Sequence, residues 1–91
     1  MSTHLGLSRL SDIDLRLLRI YRAVVEAGGF AAAEVELNIS RAAISMAMGD
    51  LETRLGLRLC QRGRAGFSVT DAGQQVYEAI LQLFTSIEGF R

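Results

Sequence analysis

The sequence has 91 residues, 49% of them hydrophobic and 22% charged, a length that holds one small domain. Its longest apolar run, residues 30–33, is far too short for a membrane span, the N-terminal ten residues lack the apolar stretch of a secretory signal, and a lone Cys60 with a lone His4 can build neither a disulfide nor a four-ligand zinc site. The net charge of zero is unevenly spread, at −1 over residues 1–40, +3 over 41–64 and −2 over 65–91, and all ten basic residues are arginine. The chain is therefore expected to be cytoplasmic, without membrane, metal or cofactor, and to carry its basic surface in the middle third.

Residues 1–11, with His4, read as a flexible N-terminus. A first helix is expected to begin after Ser11 or Asp12 and to run to about Ala27, because Ile13, Leu17, Ile20, Tyr21, Val24 and Val25 recur at helical spacing before Gly28 and Gly29. A short second helix follows over Phe30–Leu37, with Ala33 and Leu37 on one face and Phe30 at its entry. Asn38 tolerates the left-handed conformation of a helix end, Ile39 is an apolar turn residue drawn inward, and Ser40 is a good N-cap for a third helix over Arg41–Leu55. In that helix Ile44, Met48, Leu51 and Leu55 form an inward stripe, and Gly56 is the stop. The opposite face shows Arg41, Ala42, Ser45, Met46 and Gly49, small enough for close approach to another surface.

Leu57, Leu59 and Cys60 then lead into a glycine-containing turn from Arg62 to Gly66, and Phe67, Ser68 and Val69 lead out, which predicts a short β-hairpin. Thr70 and Asp71 mark the start of a last helix over about residues 71–89. Its Val76, Ile80, Leu83, Ile87 and Phe90 step by 4, 3, 4 and 3, a heptad seam, with Tyr77, Leu81 and Phe84 beside it. A domain of this size buries only about 60% of its unfolded surface, so the surplus of apolar positions predicts a partner helix. Val76, Tyr77, Ile80, Leu83, Phe84 and Ile87 are the expected homodimer interface.

The fold class predicted is mainly α: a winged helix-turn-helix with a three-helix core and a short hairpin wing over residues 12–70, then a long C-terminal helix over 71–91. In that plan the helix after the turn enters the major groove of double-stranded DNA. Arg41 sits in its first turn, where side chains reach base edges, with Ser45 one turn on. Arg62 and Arg64 on the hairpin are expected to point to phosphates or a minor groove. The alternative reading of the same pattern is a winged-helix protein–protein interaction module, with weak or no specific DNA binding.

Taken in order, Gly29-Phe30, Leu37-Asn38-Ile39-Ser40, Ile44-Ser45, Leu51-Glu52, Leu55-Gly56, Leu59-Cys60, Arg62, Thr70 and Ala72-Gly73 resemble the N-terminal DNA-binding domain of LysR-type transcriptional regulators. The resemblance covers about residue 14 to the end of the chain. It implies a bacterial regulator that binds an inverted-repeat operator as a homodimer or, in the full-length protein, a tetramer. It also implies that residues 71–90 are the linker helix through which two such domains pair, and that an effector-binding domain belonging to the longer protein is absent here.

Departures from the family pattern bear on base readout. Where the family commonly has glutamine, proline and arginine, this chain has Arg41, Ala42 and Met46, and Ala31 stands where a hydroxyl residue often holds a phosphate. The expected DNA-contact set is thus Arg41 and Ser45 for bases, with Ser40, Ala42, Met46 and Ala31 lining the surface and Arg62 and Arg64 on the wing. No catalytic site is expected: Glu52 has no histidine, serine elbow or second carboxylate to work with and reads as a structural ion-pair partner. Cys60 reads as a packing residue rather than a redox sensor.

Overall fold

The computed structural model describes residues 13–64 and 66–88; the expectations for residues 1–12 and for Phe90 fall outside them. Four helices and one antiparallel hairpin follow in the order α1 (Leu15–Ala27), α2 (Phe30–Leu37), α3 (Arg41–Leu55), β1 (Cys60–Gly63), β2 (Gly66–Val69) and α4 (Asp71–Glu88). Helix α1 is the central strut and packs against α2, α3 and α4.

The first helix starts later than its apolar spacing predicts. The Asp14 carboxylate accepts from the Arg16 amide at 2.9 Å and makes Asp14 the N-cap, so Ile13 lies before the helix. Ile13 and Leu18 are both buried, at the two positions of a hydrophobic staple. Helices α2 and α3 have the bounds expected. Asn38 ends α2 in the left-handed region at φ 57°, and the Ser40 hydroxyl accepts from the Ala43 amide at 3.1 Å. At the far end of α3, Gly56 takes φ 69°, and its amide and that of Leu57 both bond to the Glu52 carbonyl, a reversal that a β-carbon would strain.

The inward stripe of α3 is Ile44, Met48, Leu51 and Leu55, joined by Ala47. It meets Leu17, Leu18, Ile20, Tyr21 and Val24 of α1 and the buried Phe30 and Ala33 of α2 in one core. At about 25 cal/mol per Å² of apolar surface removed from water, each of the larger of these side chains contributes on the order of 2 kcal/mol. Ile39 and Leu37 are half-buried against the same cluster.

The hairpin is longer than its turn signals suggested. Cys60 pairs with Val69, Gln61 with Ser68, Arg62 with Phe67 and Gly63 with Gly66, so Arg62 lies in β1 rather than in the turn. The ladder reaches Gly63 because Phe67, opposite Arg62, is held inward against Phe30, their ring centroids 6.2 Å apart. Leu57, expected to open the first arm, precedes the strand and is 42% exposed.

Helix α4 is seated on the base of this hairpin. Thr70 donates its amide to the Leu59 carbonyl at 3.0 Å and its hydroxyl to the Arg58 carbonyl at 2.6 Å, while accepting from the Gly73 amide at 2.9 Å. Gly73 lies so close to the hairpin that a β-carbon there would stand 2.1 Å from the Leu59 carbonyl oxygen and 2.8 Å from the Tyr21 hydroxyl. That hydroxyl, from the middle of α1, donates to the Gly73 carbonyl at 2.8 Å in a buried setting.

The heptad seam expected along α4 is split by this seating. Val76, Ile80 and Phe84, four residues apart in succession, turn inward and are buried in the chain's own core at 6%, 0% and 5% exposure, leaving them little or no surface for a partner. Phe84 is further covered by the Arg19 and Arg22 guanidinium groups, each 5.7 Å from its ring centroid. Tyr77 and Leu83 are only half-buried, and Ile87 is 44% exposed. The helix thus packs on the rest of the described chain, and of the expected interface Ile87 stays exposed while Tyr77 and Leu83 are half-buried against the core.

The contact at Gly73 yields a test of the packing. Gly73→Ala should lower stability by about 2–3 kcal/mol, because the clash is with backbone and cannot be relieved by a side-chain rotation. Thermal unfolding followed by circular dichroism reads the loss.

Candidate nucleic-acid interface

The outward face of α3 is a shallow strip beginning at its N-terminus. Ser40, Arg41, Ala42 and Ala43 are exposed, Ser45 is half-buried, Met46 is 76% exposed, and Gly49 has open space in front of it. Ala31, in the first turn of α2, is exposed as well. Its methyl offers no hydrogen bond, so the backbone amides at that helix start are the donors left.

Arg41 does not stand alone. Its Nε donates to Glu34 Oε2 of α2 at 2.6 Å, an ion pair across the 38–40 turn. The sequence reading missed this partner, although the two residues lie only seven apart across a tight turn. A cation at N1 also opposes the positive end of the helix dipole, and α3 has no acid of its own in the first turn. Glu34 supplies that negative charge from the neighbouring helix.

The wing lies beside α3 and the two enclose a cleft of about 660 Å³. Ser45, Met48 and Gly49 line one wall and Arg58, Gln61 and Arg62 the other. Arg64, at the turn, is exposed. Arg62 does not project alongside it: its guanidinium lies 4.2 Å from the Phe30 ring centroid, a cation–π contact that draws it back toward the start of α2. Stacking on the ring leaves the edges of the guanidinium fork to donate, so this arginine faces the cleft instead of the tip. Arg58 and Gln61 extend the polar wall and were not singled out in the sequence.

Among the described residues Glu52 has no ion-pair partner. Its carboxylate accepts from the Leu59 amide at 2.7 Å and from the Cys60 amide at 3.4 Å, tying the end of α3 to the start of β1. This bond sets the distance between α3 and the hairpin, and the residue is a bracket for backbone donors. Cys60 is buried beside it, and burial, with the Glu52 charge second, pushes its thiol up to about 12. It is a packing residue with no thiolate at neutral pH. Among the described residues no group of three or more histidine, cysteine, aspartate or glutamate side chains could hold a metal. No described helix is long and apolar enough to cross a membrane.

On the opposite side, the Tyr77 hydroxyl donates to Glu26 Oε2 at 2.7 Å and Arg22 pairs with the same oxygen at 3.1 Å. The Tyr77 hydrogen bond, chiefly, holds the Glu26 carboxyl below its usual range and raises the Tyr77 hydroxyl above its own. This cluster fixes the outer face of α4 against α1.

Residues 15–74 match the family described as bacterial regulatory helix-turn-helix protein, lysR family. The chain is 59% identical over 86 residues to the HTH-type transcriptional activator BauR of Pseudomonas aeruginosa, covering 94% of this chain and 28% of that protein. It is 37% identical over 79 residues to the HTH-type transcriptional regulator PerR of Escherichia coli, covering 87% and 27%. The chain thus spans about a quarter of the length of these relatives. Among solved structures, the CbnR DNA-binding domain in complex with DNA superposes with a TM-score of 0.78 at 33% identity, covering 84% of this chain and 87% of that one. The BenM DNA-binding domain bound to catB site 1 DNA gives 0.80 at 31%, covering 86% and 84%.

The buried thiol gives a check on the wing. At pH 8 Cys60 should be silent to Ellman's reagent in the folded chain and react fully after unfolding in guanidinium. Rapid reaction of the folded chain would mean that the base of the hairpin opens.

Proposed function

Because the chain belongs to the lysR family of bacterial regulatory helix-turn-helix proteins, we propose that it is the sequence-specific, double-stranded-DNA-binding part of a transcriptional regulator. The observation that carries this reading is one continuous face. On it the exposed N-terminal half of α3, slim enough to enter a major groove, lies next to a wing bearing Arg58, Arg62 and Arg64. Arg41 is the long polar side chain at the start of α3 and pairs its fork with a guanine edge; Ser45 reads one turn on. Ala42 and Met46 offer apolar contact, suited to a thymine methyl, while Ser40 and the amides at Ala31 face phosphates.

The net charge of zero does not oppose this. Arg54 and Arg22 are paired with Asp50 and Glu26, whereas among the described residues Arg58 and Arg64 have no recorded ion pair. These two arginines leave positive charge on the wing side of the face. Replacing Arg64 with alanine should weaken specific and random duplexes alike. The slope of log K against log salt should become shallower by about 0.9 if one phosphate contact is lost. Selective weakening of the specific site alone would make the wing a base reader.

Pairing of two chains is proposed through the part of α4 left outside the core, chiefly Leu83 and Ile87 with Tyr77 beside them. In this arrangement two recognition helices meet an inverted-repeat operator. Ile87→Glu, at the exposed position of this face, should give monomers in analytical ultracentrifugation with the thermal unfolding preserved; an unchanged dimer would move the interface elsewhere.

A further inference from the structure

The feature of the DNA face that its assigned role does not use is an acid. Glu34 stands on α2 with its carboxylate against Arg41, the residue at the first position of α3, at 2.6 Å. A carboxylate beside the entering helix repels a phosphate backbone, so its presence costs affinity. Nor does it hold the fold: the two side chains are 33% and 56% exposed, and surface pairs of this kind contribute little to stability. What the pair does do is geometric. Its recorded contact is through Nε, so the bond fixes the guanidinium plane while the edge formed by the two terminal nitrogens is outside it. That edge has the spacing needed for the O6 and N7 acceptors of guanine.

We propose that Glu34 is the positioning residue for base reading by Arg41 and a determinant of specificity, holding the guanidinium for a guanine edge and denying it to phosphates. The inference rests on the reading of α3 as the recognition helix. A free arginine at a helix N-terminus would reach the nearest phosphate, attracted by a charge that every sequence carries. Tethered and half-neutralised by Glu34, it loses more of its attraction to a charged phosphate than of its two hydrogen bonds to a neutral base edge. Glu34 therefore lowers affinity for all duplexes and lowers it least for the duplex with guanine at the right place.

The test compares the chain with Glu34→Gln, Arg41→Ala and the double variant. Binding is measured to a random-sequence duplex and to a panel substituted at each position of a duplex selected by the unaltered chain. Glu34→Gln should bind the random duplex more tightly, with a salt slope steeper by about 0.9 from one added phosphate contact, which is roughly fourfold at 0.2 M salt relative to 1 M. Its base preference should flatten at the position that Arg41→Ala also flattens, and stay intact elsewhere. Glu34→Asp, which keeps the charge but shortens the reach, should recover the low random affinity more fully than the base preference. Circular dichroism melts of all four variants should coincide. If Glu34→Gln leaves both the preference profile and the salt slope unchanged while the chain still selects a sequence, Glu34 has no such role and the reading of α3 stands. If the unaltered chain selects no sequence at all, the reading of α3 fails and this inference with it.

Discussion

The Tyr21 hydroxyl, buried in the middle of α1 and bonded to the carbonyl of Gly73, is the pin on which the rest of the arrangement turns. Burial keeps that hydroxyl protonated well beyond its ordinary range, so it is a donor at every working pH. It seats the first turn of α4 against α1, and Gly73 allows the same turn to approach the Leu59 carbonyl. Thr70 then closes the hairpin base through Arg58 and Leu59. From the other side Glu52 ties Leu59 and Cys60 to the end of α3. Recognition helix, wing and long helix are thus referred to one small junction, with buried polar atoms each given a partner.

That junction has a functional consequence. A wing on a two-stranded hairpin has little stability of its own. Its position relative to α3 is set by the Glu52 bracket, by Thr70, by the tilted contact of Phe67 with Phe30 and by the Arg62 guanidinium over the Phe30 ring. The cleft between wing and helix is therefore preformed, which lowers the ordering cost of binding a rigid duplex. The far end of the same frame leaves Ile87 exposed on α4, with Leu83 half-buried beside it. The spacing between two paired recognition helices would be transmitted through rigid helix rather than through a loop.

Much of this was legible in the sequence because it rests on local chemistry. Asn38, Ser40 and Gly56 are residues whose backbone or side-chain preferences fix helix ends within a few positions, and α2 and α3 begin and end where they were expected. The apolar stripe of α3 followed from spacing alone. What could not be read depends on contacts distant in the chain. Nothing in the neighbourhood of Val76, Ile80 and Phe84 says that α1 lies over them, so core and partner seam have the same heptad signature in the sequence. Arg62 was assigned by its position near a turn, whereas its direction is set by Phe30, over thirty residues earlier. Glu52 was correctly read as structural, but its partners are backbone amides, which no residue pattern advertises. The start of α1 was misplaced because three candidate caps lie within four residues, and the one nearest the buried register took the role.

The central claim is that α3 and the wing together form the surface that meets DNA. Amide chemical-shift mapping during titration with a duplex selected from a random pool tests it most directly. The account predicts that the large shifts fall on the start of α2 near Ala31, on residues 40–49 and on residues 58–64, with the outer face of α4 around Leu83 and Ile87 unmoved. Shifts concentrated on α4, or none on residues 40–49 with saturating duplex, would contradict it.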